Sequence, residues 1–261
     1  IAGPSSSGKT TFTKKLAIQL QVVGFNPMIV SLDDYYLHHD LVPLDEYGKL
    51  DLEALEALDV PLLNKNLNKL FDEGEAEFPV YDFKIGSRRD VGKTLHMGDR
   101  TILLMEGIHG LNDRLTPDIP VNRKYRIYLS ALTQLNIDDH NRIATTDNRI
   151  LRRMVRDHHF RNYDALNTFQ IWPSVRRGEE KNIFPFQESA DSAFNSALDY
   201  EISVLKVFAE PLLRSVKPGS REYSDASRLL DFLSNFTPIP SYMVPEDSIL
   251  REFIGNSSFK Y

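Results

Sequence analysis

Residues 1–12 read I-A-G-P-S-S-S-G-K-T-T-F, and Gly3, four intervening residues and Gly8-Lys9-Thr10 form the spacing of a P-loop. In such a loop, backbone N–H groups and the N-terminus of the following helix wrap phosphate oxygens. Gly3 and Gly8 permit backbone angles and a close approach that a Cβ obstructs. Lys9 supplies a point charge for the β and γ phosphates, and Thr10 a hydroxyl for Mg²⁺. The pattern needs a strand before it and a helix after it. Phe12, Leu16, Leu20 and Val23 recur at helical spacing up to Gly24, a candidate cap. Ile1 and Ala2 read as the last residues of a buried strand, which implies that the natural chain continues upstream.

Outward from this loop, Pro27–Leu32 is a short apolar run ending in Asp33-Asp34, as for a buried parallel strand with carboxylates at its C-terminal end. Leu52–Leu58 and Pro61–Phe71 read as helices, with Asp51 and Asp59 as candidate N-caps and Gly74 as terminator. Phe78–Phe83, Thr101–Met105 and Tyr125–Leu129 read as strands, the second followed by Glu106-Gly107. Strands alternating with helices imply a parallel sheet, whose ligands lie beyond the carboxyl ends of the strands, where Asp33 and Glu106 fall.

From Thr146 to Asp157, Arg149, Arg152, Arg153 and Arg156 share one helical face, with Ile150, Leu151, Met154 and Val155 on the other. The first face is expected to present guanidiniums to phosphate. Asp191–Phe208 is helical in pattern, Leu212–Val216 suits a last sheet strand, and Pro218-Gly219 breaks the chain. Asp225–Phe236 and Ile249–Ile254 read as a helical tail. The expected organisation is one α/β domain over 1–217 and a helical extension over 218–261. Trp172 reads as packing, and His38-His39, His109 and His158-His159 as loop or lid surface without metal-ligand spacing.

The 261 residues hold 31 Lys+Arg against 37 Asp+Glu, a formal charge of −6 that gives no reason to expect bulk nucleic acid as a partner. Hydrophobic residues at 41% and charged residues at 26% exclude a disordered or collagen-like chain. No apolar run is long enough to span a membrane. The absence of cysteine excludes disulfides and thiolate metal sites and fits a reducing compartment, with cytoplasm as the expectation.

A P-loop leaves the reaction class open, and other residues narrow it. A GTPase needs an N-K-x-D segment, and the pairs Asn64-Lys65 and Asn68-Lys69 lack the Asp. A kinase needs a base for an acceptor hydroxyl, Mg²⁺ ligands and cations over the transferred phosphoryl group. Asp33, Thr10 with Glu106, and the arginine face are the candidates in that order. ATP and Mg²⁺ are the expected cofactors.

With these residues in place, the chain resembles the uridine kinase and phosphoribulokinase family of P-loop kinases. The matching segments are G-P-S-S-S-G-K-T-T (3–11), S-L-D-D-Y-Y (31–36), P-V-Y-D-F (79–83), M-E-G-I (105–108) and R-I-L-R-R-M-V-R-D (149–157). The resemblance implies a five-stranded parallel sheet with helices on both faces and a mobile Arg-bearing lid. It is also similar to a bacterial branch whose kinase unit follows an N-terminal domain like that of threonyl-tRNA synthetases, so such a domain is an expected partner. A homo-oligomer is left open.

Carried over by position, the resemblance implies Asp33 as the carboxylate that accepts the hydroxyl proton and Lys9 as the phosphate lysine. Gly3, Pro4, Ser5, Ser6, Ser7, Gly8, Lys9, Thr10 and Thr11 then bind ATP, and Thr10 and Glu106 form the Mg²⁺ environment. Tyr36, Asp45, Tyr81 and Phe83 surround a nucleoside, and Arg149 and Arg152 are lid or substrate arginines. One position departs: Gly86 stands where uridine–cytidine kinases carry a His that contacts the pyrimidine edge. Arg88 and Lys84 are candidate replacements. Three readings follow: a kinase for a nucleoside 5′-hydroxyl, a kinase for a non-nucleoside acceptor, and a regulatory ATP-binding module controlling an N-terminal domain or an RNA partner.

Overall fold

A computed structural model describes residues 1–82 and 85–260, so Phe83 and Lys84 lie outside the described residues. In chain order the elements are α1 (Lys9–Val22), β1 (Asn26–Ser31), α2 (Val60–Glu73), β2 (Glu75–Phe78), β3 (Tyr81–Asp82), β4 (Ser87–Arg88), β5 (Lys93–His96) and β6 (Thr101–Glu106). They continue with β7 (Ile127–Ser130), α3 (Thr145–Arg161), α4 (Ala165–Asn182), β8 (Ser192–Asn195), α5 (Glu201–Arg214), α6 (Tyr223–Ser234) and α7 (Arg251–Ile254). Two compact units result. The first comprises Ile1–Pro4, Phe12–Tyr128 and Arg176–Ala193, and the second Ser5–Thr11, Leu129–Val175 and Phe194–Tyr261.

The first unit carries a parallel sheet. β1 and β6 pair in register from Asn26 opposite Thr101 to Ser31 opposite Glu106. Ile1 N donates to Met105 O at 2.8 Å and Gly107 N to Ile1 O at 3.2 Å, so the chain start runs beside β6. Ala2 N donates to Ile127 O at 2.9 Å, and Ala2 bridges Tyr128 in parallel. β7 pairs in turn with β8. Arg126 O accepts from Ser192 N and Ser130 O from Ser196 N, the equal offset of a parallel pair. The lateral order is therefore β1, β6, the Ile1-Ala2 stub, β7 and β8.

α2 shows how local chemistry fixes an element. Asp59 Oδ1 accepts from Leu62 N at 3.0 Å, Pro61 sits in the first turn, and Gly74 ends the helix at φ +79°. Leu63, Leu67 and Leu70 recur on one face and are buried with Val30, Leu32 and Tyr35. The core of the second unit joins Ile150, Leu151, Met154 and Val155 of α3 to Leu205 of α5, Leu229 of α6, and Leu250 and Phe253 of the tail.

Several expected boundaries are corrected. Leu52–Leu58 is no helix beyond a 3₁₀ turn at Leu55–Ala57. The run from Phe78 breaks because Pro79 cannot donate to a ladder. β2 ends at Phe78 and pairs with β5, while Tyr81 pairs with Arg88. Asp191–Phe208 divides into β8 and the start of α5, so the strand beside β7 is Ser192–Asn195. Leu212–Val216 is the end of α5 and its exit, with Leu213 and Val216 buried in a helical core. Periodicity alone does not separate a short apolar strand from the buried end of a helix.

Candidate active site

In the second unit, the loop Ser5–Gly8 adopts left-handed angles at Ser6 (φ +60°) and Gly8 (φ +87°). For a serine this is an uncommon conformation that its surroundings must hold. The surroundings do so through the loop's carbonyls. Arg149 Nε donates to Ser5 O at 2.9 Å, Arg152 Nη1 to Ser6 O at 3.3 Å, and Ser196 Oγ to Ser7 O. Arg153 Nη1 donates to Ser5 Oγ at 2.8 Å. Fixing the carbonyls on one side fixes the peptide planes, and with them the direction of the loop N–H groups.

The arginine face is thus not an open cationic surface. Arg149 and Arg152 are 1% and 0% exposed, and their guanidiniums lie over the rings of Trp172 and Phe253. Arg152 also pairs with the buried carboxylate of Glu201, which in addition accepts from Asn148 Nδ2. Arg153, Arg156 and Arg161 surround buried Asp157. Burial pushes the Asp157 carboxyl up, but Arg156, Arg153 and Arg161 together outweigh it and hold the pKa below the usual range. Sequence reasoning missed Ser196 and Glu201, because they follow Arg152 by 44 and 49 residues. It also missed Glu252, whose Oε2 accepts from Thr11 N at 3.1 Å and Thr11 Oγ1 at 2.6 Å.

In the first unit, β1 delivers Asp33 and Asp34 to a 3₁₀ turn, Leu32–Tyr35. The ends of β1 and β6 approach so closely that a Cβ on Gly107 would lie 2.6 Å from Leu32 Cβ. Ser31 Oγ donates to Glu106 Oε1 at 3.2 Å, and Glu106 is 5% exposed. The two adjacent aspartates differ. Asp34 Oδ1 accepts from Tyr81 N at 2.9 Å, and its pKa is raised, first by burial and also by the neighbouring Asp33 charge, against the lowering effect of the Tyr81 N–H. The half-buried Asp33 side chain makes no hydrogen bond or ion pair with the described residues.

The Tyr36 and Tyr81 rings lie 6.0 Å apart, and Tyr36 Oη donates to Leu52 O at 3.0 Å. Asp45 organises its own loop by accepting from Tyr47 N and Lys49 N, and it pairs with Arg177. Arg88 is engaged by Asp59 Oδ2 and Tyr35 O, each at 3.0 Å, which ties it to the cap of α2. Gly86 has φ +68°, and a Cβ there would meet the His39 imidazole at 3.0 Å. An imidazole thus lies against the position where the sequence lacks a side chain. His109, expected on the surface, is 1% exposed, and burial lowers its pKa to about 4.

Among the described residues no cluster of three or more His, Cys, Asp or Glu side chains could hold a metal. Within the first unit, the Glu106 carboxylate held by Ser31 is an oxygen donor of the kind a hard cation takes. No helix is long and apolar enough to cross a membrane among the described residues.

Residues 1–203 match the model of the phosphoribulokinase / uridine kinase family. The uridine kinase of Lactobacillus johnsonii (strain CNCM I-12250 / La1 / NCC 533) is 32% identical over 157 residues, 60% of this chain and 65% of that protein's length. That of Limosilactobacillus reuteri (strain DSM 20016) is 30% identical over 193 residues, covering 73% and 79%. A solved structure described as a fructose transport system kinase from Silicibacter sp. TM1040 shares the fold with a TM-score of 0.50 at 19% identity, over 74% of this chain and 86% of that one.

Proposed function

Since the chain belongs to the phosphoribulokinase / uridine kinase family, we propose that it is an ATP-dependent kinase that transfers the γ-phosphoryl group to a nucleoside 5′-hydroxyl. The observation that carries the reading is the division of labour between adjacent aspartates. Asp34 is anchored by the Tyr81 N–H, which leaves the uncommitted carboxylate of Asp33 to orient an acceptor hydroxyl and accept its proton. Lys9 and the loop amides hold the phosphates and stabilise their charge during transfer. The Thr10 hydroxyl and the Glu106 carboxylate are groups of the kind that would hold magnesium, which would neutralise charge on phosphate oxygens.

In this reading Arg149 and Arg152 act first as the scaffold of the loop, because their guanidiniums bind its carbonyls. The His39 ring against Gly86 supports a nucleoside base as the acceptor's recognition element, since an imidazole can donate to or accept from a base edge. The acceptor is assigned by coupled ADP release against pyrimidine and purine nucleosides and non-nucleoside alcohols. Asp33→Asn is expected to keep nucleotide binding and lose about a hundredfold or more in kcat. Turnover near that of the parent would remove Asp33 as the base, and absence of ADP release with every acceptor would favour a regulatory nucleotide-binding module.

A further inference from the structure

The C-terminal tail reaches the phosphate-binding turn through Ile249 and Glu252. Thr11 is the third residue of α1, so its N–H is among the first-turn donors that have no partner within the helix. Such donors, with the dipole behind them, hold the phosphates in a P-loop. Here the Thr11 N–H and hydroxyl both donate to one oxygen of Glu252, at 3.1 and 2.6 Å. The contact is supported on both sides. Ile249 packs against the loop so tightly that a Cβ on Gly8 would lie 2.9 Å from its Cγ2. Leu250, Phe253 and Ile254 are buried in the core of the second unit, which fixes the backbone that carries Glu252. Arg251 ties the same segment down by donating to the carbonyls of Ser241, Val244 and Pro245.

Nearby, the hydroxyls of Ser6 and Ser7 are buried without a hydrogen-bond partner, although these residues are 3% and 0% exposed. The loop therefore retains polar atoms that a ligand can satisfy, while the donors of Thr11 are already held by an anion. A carboxylate and a phosphate cannot share one N–H and one hydroxyl, and their like charges repel.

We propose that Glu252 is a built-in competitor for nucleotide phosphate: its carboxylate occupies donors of the phosphate-binding turn, and nucleotide binding displaces it. The proposal rests on the reading of this chain as an ATP-binding kinase. Apparent nucleotide affinity is then reduced by the fraction of molecules in which Glu252 holds Thr11. Displacement requires rotation of the glutamate side chain and no unfolding of the tail.

The test is titration calorimetry of the full chain with Mg-ATP, ADP and inorganic pyrophosphate, for the parent and Glu252→Gln. The amide keeps the volume and a weaker acceptor and loses the charge. Binding of all three ligands is expected to tighten about tenfold, as for replacing a charged by a neutral hydrogen-bond partner. The unliganded variant is expected to melt at a lower temperature, with a larger rise on adding ligand. Should the Gln variant fail to fold, Glu252→Asp, which retracts the carboxylate by one methylene, is expected to tighten binding in the same way. Unchanged or weaker binding in a folded variant would show that Glu252 only caps the helix, and overturns the proposal. If neither parent nor variant binds any of the ligands, the ATP-binding reading itself fails, a result distinct from equal binding by both.

Discussion

His109 shows at the scale of one residue what burial does to a titratable group. Its imidazole follows the end of β6 and is held neutral chiefly by desolvation, with Glu56 and the backbone at Glu53 and Ala54 opposing that effect and Arg114 adding to it. The folded pKa of about 4 lies below the ordinary value of 6.5, so the unfolded chain binds the additional proton between these limits. Stability is therefore lost as pH falls through that window, by up to about 3 kcal/mol at its lower end, and the group contributes nothing above it. Urea denaturation at pH 7.5 and 5 should show a smaller difference in His109→Phe than in the parent. An identical difference would mean that the folded imidazole is protonated like a solvated one. A lone histidine between Ile108 and Gly110 carries no sign of this in sequence, because Glu53, Ala54 and Glu56, which act on it, lie more than fifty residues earlier. Asp33 is the opposite case: its place after an apolar strand marked it, and the structure adds that its neighbour Asp34 is committed elsewhere.

At the scale of elements, the loop Ser5–Gly8 is tied to α3 and α5 through a buried ion pair. Arg152 reaches Ser6 O and Ser196 O while paired with Glu201, and neither side chain of the pair is more than 1% exposed. Removing one charge strands the other in a low-dielectric interior. Glu201→Leu is expected to cost about 3–5 kcal/mol, and Arg152→Met with Glu201→Leu much less than the sum of the single changes. A double-mutant cycle by chemical denaturation measures that coupling, and additive losses would mean that the pair is solvated. The helix and its apolar face were legible from spacing. The direction of Arg152 was not, since the countercharge that turns it inward comes from a residue 49 positions away.

For the whole molecule, the tail belongs to a core. Residues 218–261 read as an appendage in sequence, yet Val244, Leu250, Phe253 and Ile254 are each no more than 3% exposed and share one cluster with α3 and α5. At about 1.5–3 kcal/mol for each large apolar side chain fully buried, these four carry at least about 6 kcal/mol, comparable to the whole stability of a domain. A chain ending at residue 240 is expected to lose the cooperative unfolding of the second unit and much of its helical circular dichroism. A native-like melt in that variant would return the tail to the status of an appendage.

The sequence by itself determined the P-loop spacing of residues 3–10, the carboxylates at the ends of the sheet strands, the parallel α/β class and the family. These depend on spacing over a few residues, on the period of apolar positions, and on motifs in a set order. Tertiary structure alone decided which strand lies beside β7, that Arg152 turns inward toward Glu201, that His109 is buried, and that Glu252 meets Thr11. Each of these depends on a charge or an apolar surface supplied from a distant part of the chain, and pairings at such separation leave no periodicity to read.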